Sequence, residues 1–157
     1  MATPIRVLVQ TGDFDISAEL DVMTQGRADI GAIATFTGLV RDLAKADAGA
    51  PVSAMELEHY PGMTERSLTA IAQDAAARWP LQAITVIHRF GPLAPGDRIV
   101  LVACASPHRK AAFESAEFIM DYLKTKAPFW KKETTPDGAH WVDARDADDA
   151  AAARWDR

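Results

Sequence analysis

The sequence predicts a single α+β domain, and three observations carry that expectation. The chain has 157 residues, 48% of them hydrophobic, enough to bury a core without disulfide or metal staples. Two stretches place apolar residues at helical spacing, and around them run short β-prone segments bounded by Gly, Pro and Asp. No repeat or linker divides the sequence. Residues 1–157 are therefore expected to form one domain, with a core over about 5–145 and an acidic, alanine-rich tail over 146–157.

In chain order, residues 5–9 (IRVLV) predict a strand, and Ile16 to Thr24 a short helix capped by Asp15. The run Ile30–Thr37 (IGAIATFT) reads as a buried strand ending at Gly38, followed by Val40-Arg41 and a loop to Pro51. A strand resumes at 52–59 (VSAMELEH). From Thr64 to Trp79, Leu68, Ile71, Ala72, Ala75 and Trp79 trace one helix face, and Pro80 closes it. Strands over Ala83–His88 and Arg98–Ala105 flank the turn segment FGPLAPGD and are expected to pair antiparallel. Ser106-Pro107 has the form of an N-cap followed by proline at the first helical position, and Phe113, Ala116, Met120 and Leu123 mark an apolar stripe up to Lys124. Pro128 ends that helix. Phe129–Glu133, the turn Thr135–Gly138 and Trp141–Ala144 predict a hairpin, and the tail after Arg145 reads as helical or frayed.

Composition excludes several function classes. A net charge of −5 argues against a general nucleic-acid binder, which carries a broad basic face. The apolar runs fall short of the roughly 20 residues that span a bilayer. A lone cysteine, Cys104, and no basic-then-apolar leader favour a reducing cytoplasm. The distribution of charge says more than its sum: five of six lysines, Lys110, Lys124, Lys126, Lys131 and Lys132, lie within 23 residues, directly after His108 and Arg109. An acidic chain that gathers its cations in one place points to an anionic ligand.

His108 and Arg109 stand at the start of a helix, where the macrodipole disfavours cations by some tenths of a kcal/mol. A bound phosphate or carboxylate would offset that, since backbone N–H groups and both side chains could converge on it; a solvated surface turn is the plain alternative. In LKTKAPFWKKE, Pro128 turns the backbone between Lys124 and Lys131, so both ammonium groups could enter one partly apolar pocket. An ordinary lysine is neutral in only about one copy in 2,500 at pH 7, whereas neighbouring cations and low dielectric can bring a catalytic lysine to roughly 7–8. Helix capping by Lys124 beside solvated lysines is the competing account. Arg41, after an apolar strand, offers a planar fork for an anion. His59, His88 and His140 share no metal-ligand spacing, so neither a metal nor a cofactor is expected. Cys104 reads as a core residue, so any sulfur chemistry must import its sulfur.

The segments FTGLVR (36–41), LEHYPGM (57–63), HRFGPLAPGD (88–97), SPHRKAAFE (106–114) and DYLKTKAPFWKKE (121–133) together resemble the catalytic, large-subunit family of molybdopterin synthases, over roughly residues 5–145. The resemblance implies an α/β hammerhead fold with added antiparallel strands and a homodimer that binds two small ubiquitin-like sulfur carriers, making a heterotetramer. It also implies a reaction. Each carrier's C-terminal Gly-Gly thiocarboxylate would enter a pocket of the large subunit, and two deliveries would convert cyclic pyranopterin monophosphate to molybdopterin.

Matched residue by residue, the resemblance implies that Lys124 and Lys131 are the catalytic lysines. His108, Arg109 and Arg41 would hold the anionic substrate, Arg145 would reach the pocket from the other protomer, and Phe36 and Met120 would line it. Lys126 is expected to steer anions. Residues 42–51 (DLAKADAGAP) depart from the family pattern after the arginine, lacking its His/Asn content and final Gly. Two other functions fit the cations without the resemblance: a different phosphate-dependent acyl or sulfur transferase, and a non-catalytic dimer that binds an anion.

Overall fold

In a computed structural model that describes residues 3–41, 54–135, 138–142 and 146–156, strands and helices follow one another as β1 (Ile5–Gln10), α1 (Ile16–Thr24), β2 (Ala32–Leu39), β3 (Ala54–His59), α2 (Met63–Arg78), β4 (Ala83–Arg89), β5 (Gly91–Leu93), β6 (Arg98–Ser106), α3 (Arg109–Lys126), β7 (Phe129–Thr135), β8 (Gly138–Val142) and α4 (Asp146–Ala153). The strands form two four-stranded sheets, ordered β1-β4-β6-β2 and β5-β3-β7-β8. β1 and β4 run parallel, and the other pairings are antiparallel, including the β4–β6 pair. The architecture is α+β, as the sequence predicts. Among the described residues no helix is long and apolar enough to cross a membrane.

The first sheet is covered on both faces. Val100, Val102 and Cys104 of β6 join Ile84 and Val86 of β4 in the core beneath α2 and α3. Their neighbours Leu101, Ala103 and Ala105 pack the opposite way, against Phe14 and Ile87 or against Met23 and Leu20 of α1. Strand side chains alternate in direction, so two covered faces demand an unbroken apolar run, which is what VLVACA supplies. On α2 the buried positions are Thr64, Leu68, Ile71, Ala72 and Ala75, with Trp79 at the C-cap donating its N–H to the Ala75 carbonyl at 3.0 Å. Asp15 caps α1 by accepting from the Ala18 N–H at 3.1 Å.

Four local expectations change. Ser106 does not cap α3: it ends β6 opposite Ala32, its buried hydroxyl donates to the Pro80 carbonyl at 3.2 Å, and His108 takes the cap position. Ladder pairing and burial win over capping there. Phe113 is 65% exposed, because Ala111, Ala112 and Ser115 carry the buried face of α3 in its first turns, while Ala116, Met120 and Leu123 are buried as predicted. The 30–37 run is less buried than predicted: β2 is an edge strand of its sheet, and Thr35 and Phe36 are exposed. FGPLAPGD is more than a turn, since Gly91–Leu93 pairs with β3 as β5.

The second sheet packs a smaller cluster, Val40, Met55, Leu57 and Leu93, with Ile99 and Phe129 against it. Directly opposed residues of an antiparallel pair share a face. The register Leu57↔Lys131 and His59↔Phe129 therefore puts Lys131 on the apolar face of this sheet, where it is half-buried.

Candidate active site

Helix α3 organises the cations. At its start, Gly31 lies so close to the Pro107 carbonyl that a Cβ on it would sit 2.0 Å from that oxygen. Only glycine permits this approach, and the Gly31 N–H donates to the Ser106 carbonyl at 3.1 Å. The contact pins the turn that presents His108 and Arg109. Gly31, Ala32, Pro107, His108, Arg109 and Lys110 line an open depression there. Both His108 and Arg109 are exposed, and Lys110 leans on Glu114 at 3.9 Å.

The far end of α3 is built differently. Lys124 and Lys126 lie exposed in its last turn, four and six residues beyond the buried Met120. Ala127 leaves the helix in an extended conformation, as a residue before proline must, and the Phe129 N–H donates to the Ala127 carbonyl at 2.9 Å across Pro128. The Pro128 carbonyl in turn accepts from the Thr64 hydroxyl at 3.0 Å. Phe129 stacks on His88, with ring centroids 3.9 Å apart and planes at 22°. Beside that pair, His59 and Phe90 form a second ring contact at 4.0 Å. The two contacts join the first sheet to the second where β7 begins.

His88 is 5% exposed. Burial pulls its imidazole from the ordinary 6.5 down to about 4, its hydrogen bond to the Arg89 carbonyl pulls weakly upward, and the positive charge of Lys124 pushes down again. The ring is neutral at pH 7. Its Nδ1 lies 2.8 Å from the Arg89 carbonyl oxygen, which can only accept, so Nδ1 carries the proton.

Register places the remaining residues. β2 runs from Ala32 opposite Ser106 to Leu39 opposite Arg98, so its end and Arg41 point away from the Arg109 end of α3 and toward the Lys124 end. Val40 is fixed by exchanging hydrogen bonds with Gly96 and Asp97, at 2.7 and 2.8 Å, and packs in the cluster that receives Phe129. Phe36 shares the face of buried Ala34, the face that α3 covers, and is 42% exposed. Arg41, Lys124, Lys126 and Lys131 thus lie toward one end of the molecule, with Met120 about a turn further back on α3 and Phe36, opposite Val102, at the middle of its strand. Arg145 and residues 42–51 lie outside the described residues.

One expectation needs correction. His108 and Arg109 do not meet the lysines in a cavity of a single chain. From Arg109 to Lys124 a helix rises by about 22 Å at 1.5 Å per residue. Two cation groups result, and each is open on at least one side.

Cys104 is fully buried, and burial pushes its thiol up to about 11 while a hydrogen bond with Ser115 draws it slightly down. It is a core residue, not a sulfur carrier. Among the described residues no three His, Cys, Asp or Glu side chains converge as metal ligands. The site's buried supports were missed in the sequence: His88 looked like one strand-end histidine among several, and Thr64 like the start of a helix. For His88 the signal that could have found it is its place at the head of HRFGPLAPGD, one of the segments that carry the resemblance; Thr64 stands one residue past LEHYPGM, and no such signal marked it.

The chain is similar to known proteins along its length. Residues 9–126 match the family model described as MoaE protein. The chain is 58% identical to the molybdopterin synthase catalytic subunit of Rhizobium meliloti, covering 100% of this chain and 99% of that protein. Its fold is similar to the molybdopterin biosynthesis MoaE protein from Burkholderia ambifaria, with a TM-score of 0.81 and 55% identity over 100% of this chain and 99% of that one. It is also similar to a molybdopterin synthase from Staphylococcus aureus, with a TM-score of 0.78 and 31% identity over 87% of this chain and 96% of that one. A sequence match over three-quarters of the chain, on a fold shared from end to end, makes the chain a member of the MoaE protein family.

Proposed function

We propose that the chain is the catalytic subunit of a molybdopterin synthase, converting cyclic pyranopterin monophosphate to molybdopterin with sulfur from the thiocarboxylated C-terminus of a small carrier subunit. The observation that carries this reading is the end of α3, where Lys124 and the half-buried Lys131 flank a corner held by buried groups. The carrier's thiocarboxylate sulfur attacks a side-chain carbon of the pterin and displaces an oxygen substituent as phosphate or water. Water then cleaves the acyl–sulfur bond, leaving the sulfur on the pterin and releasing the carrier as its carboxylate, while Lys124 and Lys131 relay protons and counter the charge that develops. Lys124 is exposed in a single chain. The docked carrier tail would supply the low-dielectric cover that a proton relay needs.

Substrate binding requires the second cation group. His108 and Arg109 lie too far along α3 to share a phosphate with Lys124 of the same chain, so a homodimer would bring them in from the partner copy, together with Arg145. Arg41 and Lys126 would meet the substrate from the lysine end, and Phe36 and Met120 would line the apolar side. Two chains and two carriers make a heterotetramer. The whole chain acts as one domain in the cytoplasm, where a buried free thiol and a thiocarboxylate both persist.

The test is direct. The purified chain is mixed with cyclic pyranopterin monophosphate and a thiocarboxylated carrier, and molybdopterin is assayed. Product is expected, with none when the carrier ends in a plain carboxylate. Failure to form product with a competent carrier would overturn the reading.

A further inference from the structure

We propose that Thr64 and His88 are positioning residues for sulfur transfer: together they fix the Pro128–Phe129 corner, and with it the placement of Lys124 relative to Lys131. The inference rests on reading both lysines as catalytic.

Between the two lysines the chain must leave a helix, turn at a proline and enter a strand. Within that corner the Phe129 N–H bonds back to the Ala127 carbonyl and the ladder with β3 begins only at Phe129, so the seating of the corner against the core depends also on what grips it from outside. Thr64 grips the first residue. Its side chain is fully buried, its hydroxyl donates to the Pro128 carbonyl at 3.0 Å, and the same oxygen accepts from the Tyr60 N–H at 3.0 Å. A hydroxyl has one proton to give, so these two partners set its rotation. The Thr64 N–H returns a bond to the Tyr60 carbonyl at 2.8 Å, and the Glu65 carboxylate accepts from the Gly62 N–H at 3.2 Å. The loop before α2 is thereby rigid, and α2 is itself set in the core through Leu68, Ile71, Ala72 and Ala75. Pro128 is referenced to that helix.

His88 grips the second residue from the other layer. It stands on β4 with Val9 of β1 and Val100 of β6 as its register partners, so its backbone cannot drift. Its ring is oriented by the bond to the Arg89 carbonyl and lies flat on Phe129. A neutral aromatic ring suits this place: it fills the space beside Lys124 without adding a like charge. Two residues after Phe129 along β7 comes Lys131, on the same face of the sheet. A shift at the corner is thus passed directly to the second lysine.

Misplacement of reacting groups by about 1 Å can cost on the order of 100-fold in rate. Three variants test the assignment, each assayed as full-length protein with thiocarboxylated carrier and cyclic pyranopterin monophosphate, beside the wild type and Lys124→Ala. Thr64→Val keeps the shape and removes the hydroxyl; Thr64→Ser restores it. His88→Phe keeps a stacking ring and removes the Nδ1–H bond. Thr64→Val and His88→Phe are expected to lower kcat about tenfold or more, with both KM values within about threefold, and Thr64→Ser to return to within about threefold of wild type. If Thr64→Val does not fold, His88→Phe carries the same comparison. Wild-type kcat in either folded variant, a change confined to KM, or a Thr64→Ser defect as deep as that of Thr64→Val overturns the proposal. So does loss of the fold in both the Val and Phe variants, which would make the grip plain packing. A silent wild type, or a fully active Lys124→Ala, would instead sink the functional reading on which the inference stands.

Discussion

At its N-terminus α3 presents His108 and Arg109 over an open depression, while at its C-terminus Lys124 stands beside a corner packed by Thr64, His88 and Phe129. The fold treats the two ends in opposite ways. Lysines in the last turn agree with the helix dipole, whereas an arginine in the first turn opposes it by some tenths of a kcal/mol. The fold gains nothing from Arg109 there, yet it brings Pro107 against Gly31 to hold that turn. The lysine end is packed against its own chain; the arginine end is open, and on the proposed function it is completed by an anion and a second copy. What separates them is the 18-residue length of α3.

The strongest way to break this comparison is at the finished end. Lys124→Ala should lower turnover about a thousandfold, within the range for loss of a general acid–base group, while the far-UV spectrum and melting temperature stay as in the wild type. Turnover within about tenfold of wild type would remove Lys124 from the chemistry.

Next in size is the pH response of the finished end. His88 titrates near 4 in the folded chain and near 6.5 unfolded. Above pH 6.5 neither state binds the proton, and between 6.5 and 4 the unfolded state binds it first. Stability present at neutral pH is therefore lost as pH falls through that window, by about 3 kcal/mol at pH 4 from this residue. Urea unfolding at pH 7 and pH 4 measures the loss, and His88→Phe should flatten that part of the slope. An unchanged slope would show that His88 is not the group responsible.

The open end gives smaller effects. Gly31→Ala should destabilise the chain by about 1–3 kcal/mol, because the Pro107 backbone must move, and should raise KM for the pterin without altering carrier affinity. Arg109→Ala should raise that KM about tenfold and leave folding alone. Mixing the inactive Lys124→Ala chain with an inactive double variant of His108 and Arg109 sharpens the comparison most. If each site takes one group from each copy, random re-pairing restores about a quarter of wild-type activity; no recovery would mean that each copy's site is its own.

Much of the fold could be read in the sequence because local pattern and burial agreed. The α2 stripe and the antiparallel β4–β6 pair are cases where the apolar period alone decides the element. The misses share one cause. Ser106 has the chemistry of a cap, but the neighbouring strand claimed its backbone; Phe113 has the chemistry of a core residue, but Ala111 and Ala112 take the buried face of the first turn of α3. In each case a tertiary partner overruled a sound local preference. The cations were visible as a cluster, and that cluster was real along the chain. Sequence nearness could not reveal that a helix holds two parts of it apart, nor that Thr64, some 64 residues before Pro128, would fix the corner between the lysines.

Cys104 offers a practical consequence. The chain's sole sulfhydryl sits sealed beneath α3, hydrogen-bonded to Ser115 and strongly disinclined to ionise. An enzyme that handles activated sulfur thereby keeps its own sulfur out of the exchange, and no mixed disulfide or persulfide can divert the cargo. Maleimides and aromatic disulfides should pass it by in the native state, so the carrier's thiocarboxylate can be titrated in the assembled complex without labelling the large subunit.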